Sequence, residues 1–116
     1  MIREANKEEI NMLNNVVVNE IVMEMDSDLG GIGLRAENLD VISNELDYLR
    51  QDMDKATEEH AGNFAYLGMY MLEVHNKVKL LNDYLNVTLN NLEGDLNQIQ
   101  DRHKKLFELL VDKEKQ

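Results

Sequence analysis

Apolar residues recur every three or four positions along most of the chain, which is the period of an α-helix. The first apolar stripe consists of Ile10, Leu13, Val17, Ile21 and Met25. Three consecutive valines at 16–18 would suit a strand, but the Asn and Glu residues between the apolar pairs favour a helix. The pattern therefore predicts a first helix over residues 4–25.

A glycine-rich stretch interrupts this pattern, because Gly30, Gly31 and Gly33 fall within four positions. Glycine inside a helix costs roughly 1 kcal/mol relative to alanine, so we expect residues 26–34 to form a connector. A second helix is predicted over residues 36–61, and its heptad positions are Leu39, Ile42, Leu46, Leu49, Met53 and Ala56. Gly62 and Asn63 then indicate a glycine helix stop followed by an asparagine N-cap.

A longer apolar stripe predicts a third helix over residues 63–111. Its steps alternate between three and four except at Leu85 and Leu89, where two steps of four adjoin as a stutter. Further along, the stripe includes His103, Leu106 and Leu110. Gly94 weakens helix propensity but lies off the stripe, which leaves two alternatives open. The third helix is either continuous and bent near Gly94, or it breaks there and folds back as a fourth helix.

These elements predict an all-α fold, an antiparallel bundle of three to four helices with a long coiled-coil-like C-terminal helix, in one domain of residues 1–116. The third helix would span about 70 Å, whereas the first two would span about 33 and 38 Å. Two shorter helices cannot cover all of its apolar stripe. We therefore expect the chain to associate with itself, most simply as a two-fold homodimer.

Composition and charge exclude several classes of partner and site. The 116 residues include 12 basic and 23 acidic side chains, a formal net charge of −11. This charge argues against direct binding of nucleic acid or an anionic membrane, because both require a basic footprint. The chain has no cysteine, so disulfides, thiolate metal sites and cysteine nucleophiles are excluded. No signal-peptide pattern opens the sequence, and we expect a cytoplasmic location.

The predicted connector resembles an EF-hand calcium loop, because Asp26, Asp28, Gly31 and Glu37 occupy its positions one, three, six and twelve. The resemblance is incomplete: position five is Gly30, and no second loop is present to pair with the first. We interpret the match as an acidic linker, and keep Asp26, Asp28 and Glu37 as metal candidates for a calcium-responsive helix–loop–helix. No cofactor is expected.

Catalytic patterns are missing from the sequence. The three histidines lie outside the Glu-x-x-His and His-Glu-x-x-His motifs, and the serines do not neighbour a histidine. The carboxylates of the second helix lie mostly off its apolar stripe, as expected of a solvated face. We therefore predict that the protein is not an enzyme.

A Tyr- and Met-rich segment suits protein recognition, where both residue types are enriched, although core packing explains it equally well. We expect the interface to include Phe64, Tyr66, Tyr70, Met71, Leu106 and Leu110. The function predicted first is a helical protein-interaction or regulatory protein. It would self-associate and act by occluding or scaffolding a partner protein.

The acidic residues are concentrated on the second helix, with eight of them over residues 37–59 against Arg50 and Lys55. An alternative function follows: the helix imitates nucleic-acid phosphates through Asp47, Asp54 and Glu58, and inhibits a DNA- or RNA-binding protein. Fourteen asparagines in a short acidic chain are also typical of small accessory proteins of bacteriophages and mobile elements.

Overall fold

A computed structural model describes the backbone of residues 2–115 and the side chains of residues 7–111. The described chain forms two α-helices, α1 (Ile2–Glu59) and α2 (Phe64–Lys115). The all-α prediction is confirmed. The prediction of three to four helices is wrong, because the described part of the chain contains two.

The predicted connector is part of a helix, so the first two predicted helices are one element, α1. Interhelical packing explains one of its three glycines: a Cβ atom on Gly31 would lie 3.0 Å from Oδ2 of Asp95 on α2. Gly30 and Gly33 face open space, and nothing in the structure requires glycine there. Packing along the rest of α1 therefore outweighs a propensity cost of about 1 kcal/mol per glycine.

The turn between the helices forms as predicted. Gly62 has a φ of +88°, the left-handed conformation that ends many helices. The backbone N–H of Asn63 donates to the carbonyl of His60 at 3.0 Å. The side chain of Asn63 accepts a hydrogen bond from the backbone N–H of Tyr66 at 3.1 Å, which is an N-cap contact.

Helix α2 passes through Gly94 without a break, which excludes the fourth helix. The predicted stutter is also wrong. Thr88 is 1% exposed and Leu89 is 44% exposed, so Thr88 occupies the packed position. The steps from Leu81 to Leu85, Thr88 and Leu92 then alternate four, three and four, as in an unbroken heptad pattern.

The chain divides into two compact units. The turn unit comprises residues 34–91, and the terminal unit combines Met1–Gly33 with Leu92–Gln116. Buried positions of the turn unit include Ile42, Leu49, Ala56, Val74 and Thr88, and those of the terminal unit include Ile21 and Asp28. The assignment of residues 1–116 to one domain stays a prediction.

Candidate protein-interaction surfaces

The turn unit buries only one of the two rows that make up each heptad stripe. Ile42, Leu49 and Ala56 of α1 are buried, as is Val74 of α2. The second row remains open to solvent: Leu46 is 45%, Met53 43%, Met71 70% and Val78 43% exposed. The two helices therefore cover this row only partly, although Leu39 and Leu85, which continue it, are half-buried.

This uncovered row lines two hollows, of about 410 and 150 Å³, which meet at Val78. We call them together the apolar groove. Its lining residues are Ile42, Leu46, Met53, Thr57, Leu67, Tyr70, Met71, Val74, His75, Val78, Leu81, Asn82 and Leu85. The set contains no Asp, Glu, Lys or Arg, which is unusual for an exposed surface of a chain with a net charge of −11.

The structure brings together part of the predicted Tyr- and Met-rich interface. Tyr70 and Met71 line the apolar groove, and Phe64, seven residues before Met71, is exposed on the same side of α2. Tyr66 lies outside this lining and stacks on His60, with ring centroids 3.8 Å apart. Tyr70 and Tyr66 are nearly parallel, with centroids 6.3 Å apart.

The phenol of Tyr70 is a neutral group at physiological pH. Partial burial, and next the negative charge of Asp52, raise the pKa of Tyr70 above its ordinary value of 10.0. An ordinary phenol is already protonated at physiological pH, and this shift keeps the hydroxyl of Tyr70 protonated to a higher pH.

In the terminal unit, the helix–helix contact contains an ion pair. The guanidinium of Arg102 binds the carboxylate of Asp28, whose side chain is buried. The same Nη1 donates to the backbone carbonyl of Glu24 at 3.1 Å, and Nε lies 3.1 Å from the Glu24 carboxylate. A buried charge is tolerated because Arg102 neutralises it.

The predicted C-terminal interface residues lie in the terminal unit. Leu106 is half-buried and Leu110 is exposed. A hollow of about 280 Å³ in this unit is lined by Met25, Ile99, Gln100 and His103. His103 is exposed, whereas its neighbour Arg102 is half-buried, so the expectation of His103 in the packed stripe is wrong.

A second surface of the turn unit is a hollow of about 280 Å³ lined by Glu45, Tyr48, Leu49, Asp52, Lys77, Leu80 and Leu81. We call it the rimmed groove, because charged side chains flank its apolar residues. Tyr48 is 62% and Leu80 69% exposed. The apolar stripes do not predict this groove, because Tyr48 and Leu80 each lie one position before a heptad position.

The predicted acidic face is partly neutralised. Arg50 lies 3.9 Å from a carboxylate oxygen of Asp47 and 3.6 Å from one of Asp54. All three side chains are about two-thirds exposed, where such pairs contribute little to stability. Glu58 is exposed on the same side of α1, four residues after Asp54. The single positive charge of Arg50 thus offsets one of the two negative charges of Asp47 and Asp54.

The calcium-loop geometry is not formed. Asp26, Asp28 and Glu37 all lie within α1, where Asp26 and Glu37 are about 16 Å apart along the helix axis. Asp28 is paired with Arg102. Among the described residues, no three His, Cys, Asp or Glu side chains are grouped so that they could hold a metal ion. The alternative of a calcium-responsive helix–loop–helix is therefore wrong, because residues 26–37 are helical.

Neither helix, over the residues described, has a stretch long and apolar enough to cross a membrane. Comparisons with protein-family models, curated proteins and solved structures found no match to this chain.

Proposed function

We propose that this chain is a non-enzymatic, cytoplasmic interaction protein that self-associates through the apolar groove and acts by occluding or scaffolding a partner protein. The observation that supports self-association is the half-exposed row of Leu46, Met53, Met71 and Val78 in a groove without charged residues.

Heptad geometry explains why this row needs a second chain. In a four-helix bundle both rows of each stripe would face a common core, whereas the two helices of the turn unit leave the residues of this row at least 43% exposed. Burying a large apolar side chain is worth about 1.5–3 kcal/mol. The four residues of this row are 43–70% exposed, so two copies would gain about 6–12 kcal/mol on burying them, which is of the same order as the cost of association.

Two copies of the groove are suited to each other because neither carries charge. Each chain has a net charge of −11, so contact through most of its surface brings like charges together. The apolar groove avoids that repulsion, since its lining residues are uncharged. A two-fold axis through the groove would place the same residues on both sides of the interface.

Co-expression of two differently tagged copies tests self-association. We expect the two tags to co-purify, and we expect Val78→Glu to abolish co-purification because it places a carboxylate in each half of the interface. The matched control is Leu72→Glu, an exposed residue of α2 that lies outside every described groove. Equal loss with both variants, or with neither, would contradict the proposed interface.

A further inference from the structure

The rimmed groove differs in chemistry from the apolar groove. Leu49 and Leu81 form its base, and the exposed side chains of Tyr48 and Leu80 form its apolar walls. Tyr48 and Met53, which is in the apolar groove, are five residues apart on α1 and therefore point about 140° apart around the helix. A second copy seated in the apolar groove leaves the rimmed groove open.

Negative charge dominates the α1 side of the rimmed groove. Glu45 and Asp52 are part of its lining, and Glu59 extends their row with the same spacing of seven residues, so all three lie on one side of α1. All three are exposed. On the α2 side, the ammonium group of Lys77 lies 3.7 Å from the carboxylate of Glu73, which offsets its charge.

We propose that the rimmed groove binds an amphipathic helix of a partner protein whose apolar face is flanked by Lys and Arg. The exposed Tyr48 and Leu80 would contact that apolar face, as in other helix-in-groove complexes. The carboxylates of Glu45 and Asp52 would pair with the flanking cations at the edge of the contact. Such rim charges select the partner and speed its association more than they strengthen binding.

A synthetic 18-residue peptide of Leu and Lys, arranged with one apolar face and labelled with a fluorophore, tests the inference by fluorescence anisotropy on the full chain. One control peptide replaces Lys with Glu, and another has the Leu/Lys sequence scrambled so that no apolar face forms. We expect the amphipathic Leu/Lys peptide to bind at least about tenfold more tightly than either control. Equal binding of the scrambled peptide would overturn the inference.

Paired charge reversals locate the binding site. We expect Glu45→Lys with Asp52→Lys to weaken binding about tenfold and to reduce its salt dependence. The matched control, Asp47→Lys with Asp54→Lys, changes the net charge by the same amount on another side of α1, and we expect it to weaken binding less than about threefold. Equal effects would mean general attraction to an acidic protein, and would overturn the inference.

The same peptide separates this inference from the proposed self-association. Val78→Glu should leave peptide affinity unchanged within about twofold, because Val78 lies in the apolar groove. If Val78→Glu abolishes peptide binding while the rim reversals do not, the peptide occupies the apolar groove. That result would overturn the assignment of the rimmed groove and leave self-association open to its own test.

Discussion

Arg102 on α2 binds the buried carboxylate of Asp28 on α1, so the helix–helix contact of the terminal unit contains a charge pair where a heptad pattern usually places apolar residues. The partners are unequal: Arg102 also contacts Glu24 through two of its nitrogens, whereas Oδ2 of Asp28 has no hydrogen-bond partner among the described residues. Asp28 therefore depends on Arg102 more than Arg102 depends on Asp28.

Replacing Arg102 should lower the free energy of unfolding more than replacing Asp28. Arg102→Met leaves a buried carboxylate without its cation, and we expect it to lower the free energy of unfolding by about 2–3 kcal/mol. Asp28→Asn leaves Arg102 paired with Glu24, and should cost less than about 1 kcal/mol. Urea denaturation at one fixed chain concentration measures both. A larger loss for Asp28→Asn would contradict the asymmetry.

Replacing both members of the pair tests whether it contributes stability at all. We expect the double variant Asp28→Leu with Arg102→Leu to be as stable as the wild type or more stable, because burying ions costs desolvation free energy that leucines do not incur. The expected loss is in specificity, seen as mixed oligomeric species by native mass spectrometry. A destabilised double variant would show instead that the ion pair is a net source of stability.

Alanine substitution should change the free energy of unfolding differently at the three glycines of α1. Gly30→Ala and Gly33→Ala each remove a helix-breaking residue that faces open space, and should raise the free energy of unfolding by about 0.8 kcal/mol. Gly31→Ala should gain less or lose stability, because its Cβ would meet the Asp95 carboxylate at 3.0 Å. Thermal unfolding followed by circular dichroism measures all three. No gain at Gly30 and Gly33 would indicate that residues 26–34 are not helical.

The acidic face tests the alternative of nucleic-acid mimicry. Combined neutralisation by Asp47→Asn, Asp54→Asn and Glu58→Gln should leave binding to a captured partner unchanged within about twofold, because Arg50 lies between Asp47 and Asp54 and already offsets one of their two negative charges. Affinity capture from the native host with wild-type and neutralised chains provides the comparison. Loss of a nucleic-acid-binding partner, together with competition by DNA and strong salt dependence, would support mimicry and contradict the present account.

The helical class and the turn were predictable from local sequence. Gly62 and Asn63 form the predicted stop and N-cap because both act through their own backbone and nearest neighbours. The prediction of a connector at residues 26–34 is wrong because packing along α1 outweighs the propensity cost of its three glycines. Met25 and Leu39 are fourteen residues apart, which is two heptads, so the apolar register continues across the glycines. This unbroken spacing of apolar residues is the sequence feature that indicates one continuous helix.

The packed stripe of α2 was harder to predict because it includes polar residues. The spacing of the apolar residues predicts Leu89 and His103 in the stripe, whereas Thr88 and Arg102 occupy the more buried positions. Arg102 can occupy a partly buried position because it pairs with Asp28, which lies 74 residues earlier in the sequence. Local pattern carries no information about such a partner, so the register of this half of α2 depends on tertiary contacts.

Self-association through the apolar groove is the central claim, and the mass of the chain in solution tests it most directly. Sedimentation equilibrium at micromolar concentration should give about twice the 13.5 kDa chain mass for the wild type and for Leu72→Glu, and one chain mass for Met71→Glu. Met71 and Leu72 are neighbours that are 70% and 69% exposed. They differ in the side of α2 on which they lie, because Met71 lines the apolar groove and Leu72 does not. A wild-type mass of 13.5 kDa, or equal masses for the two variants, would contradict the account.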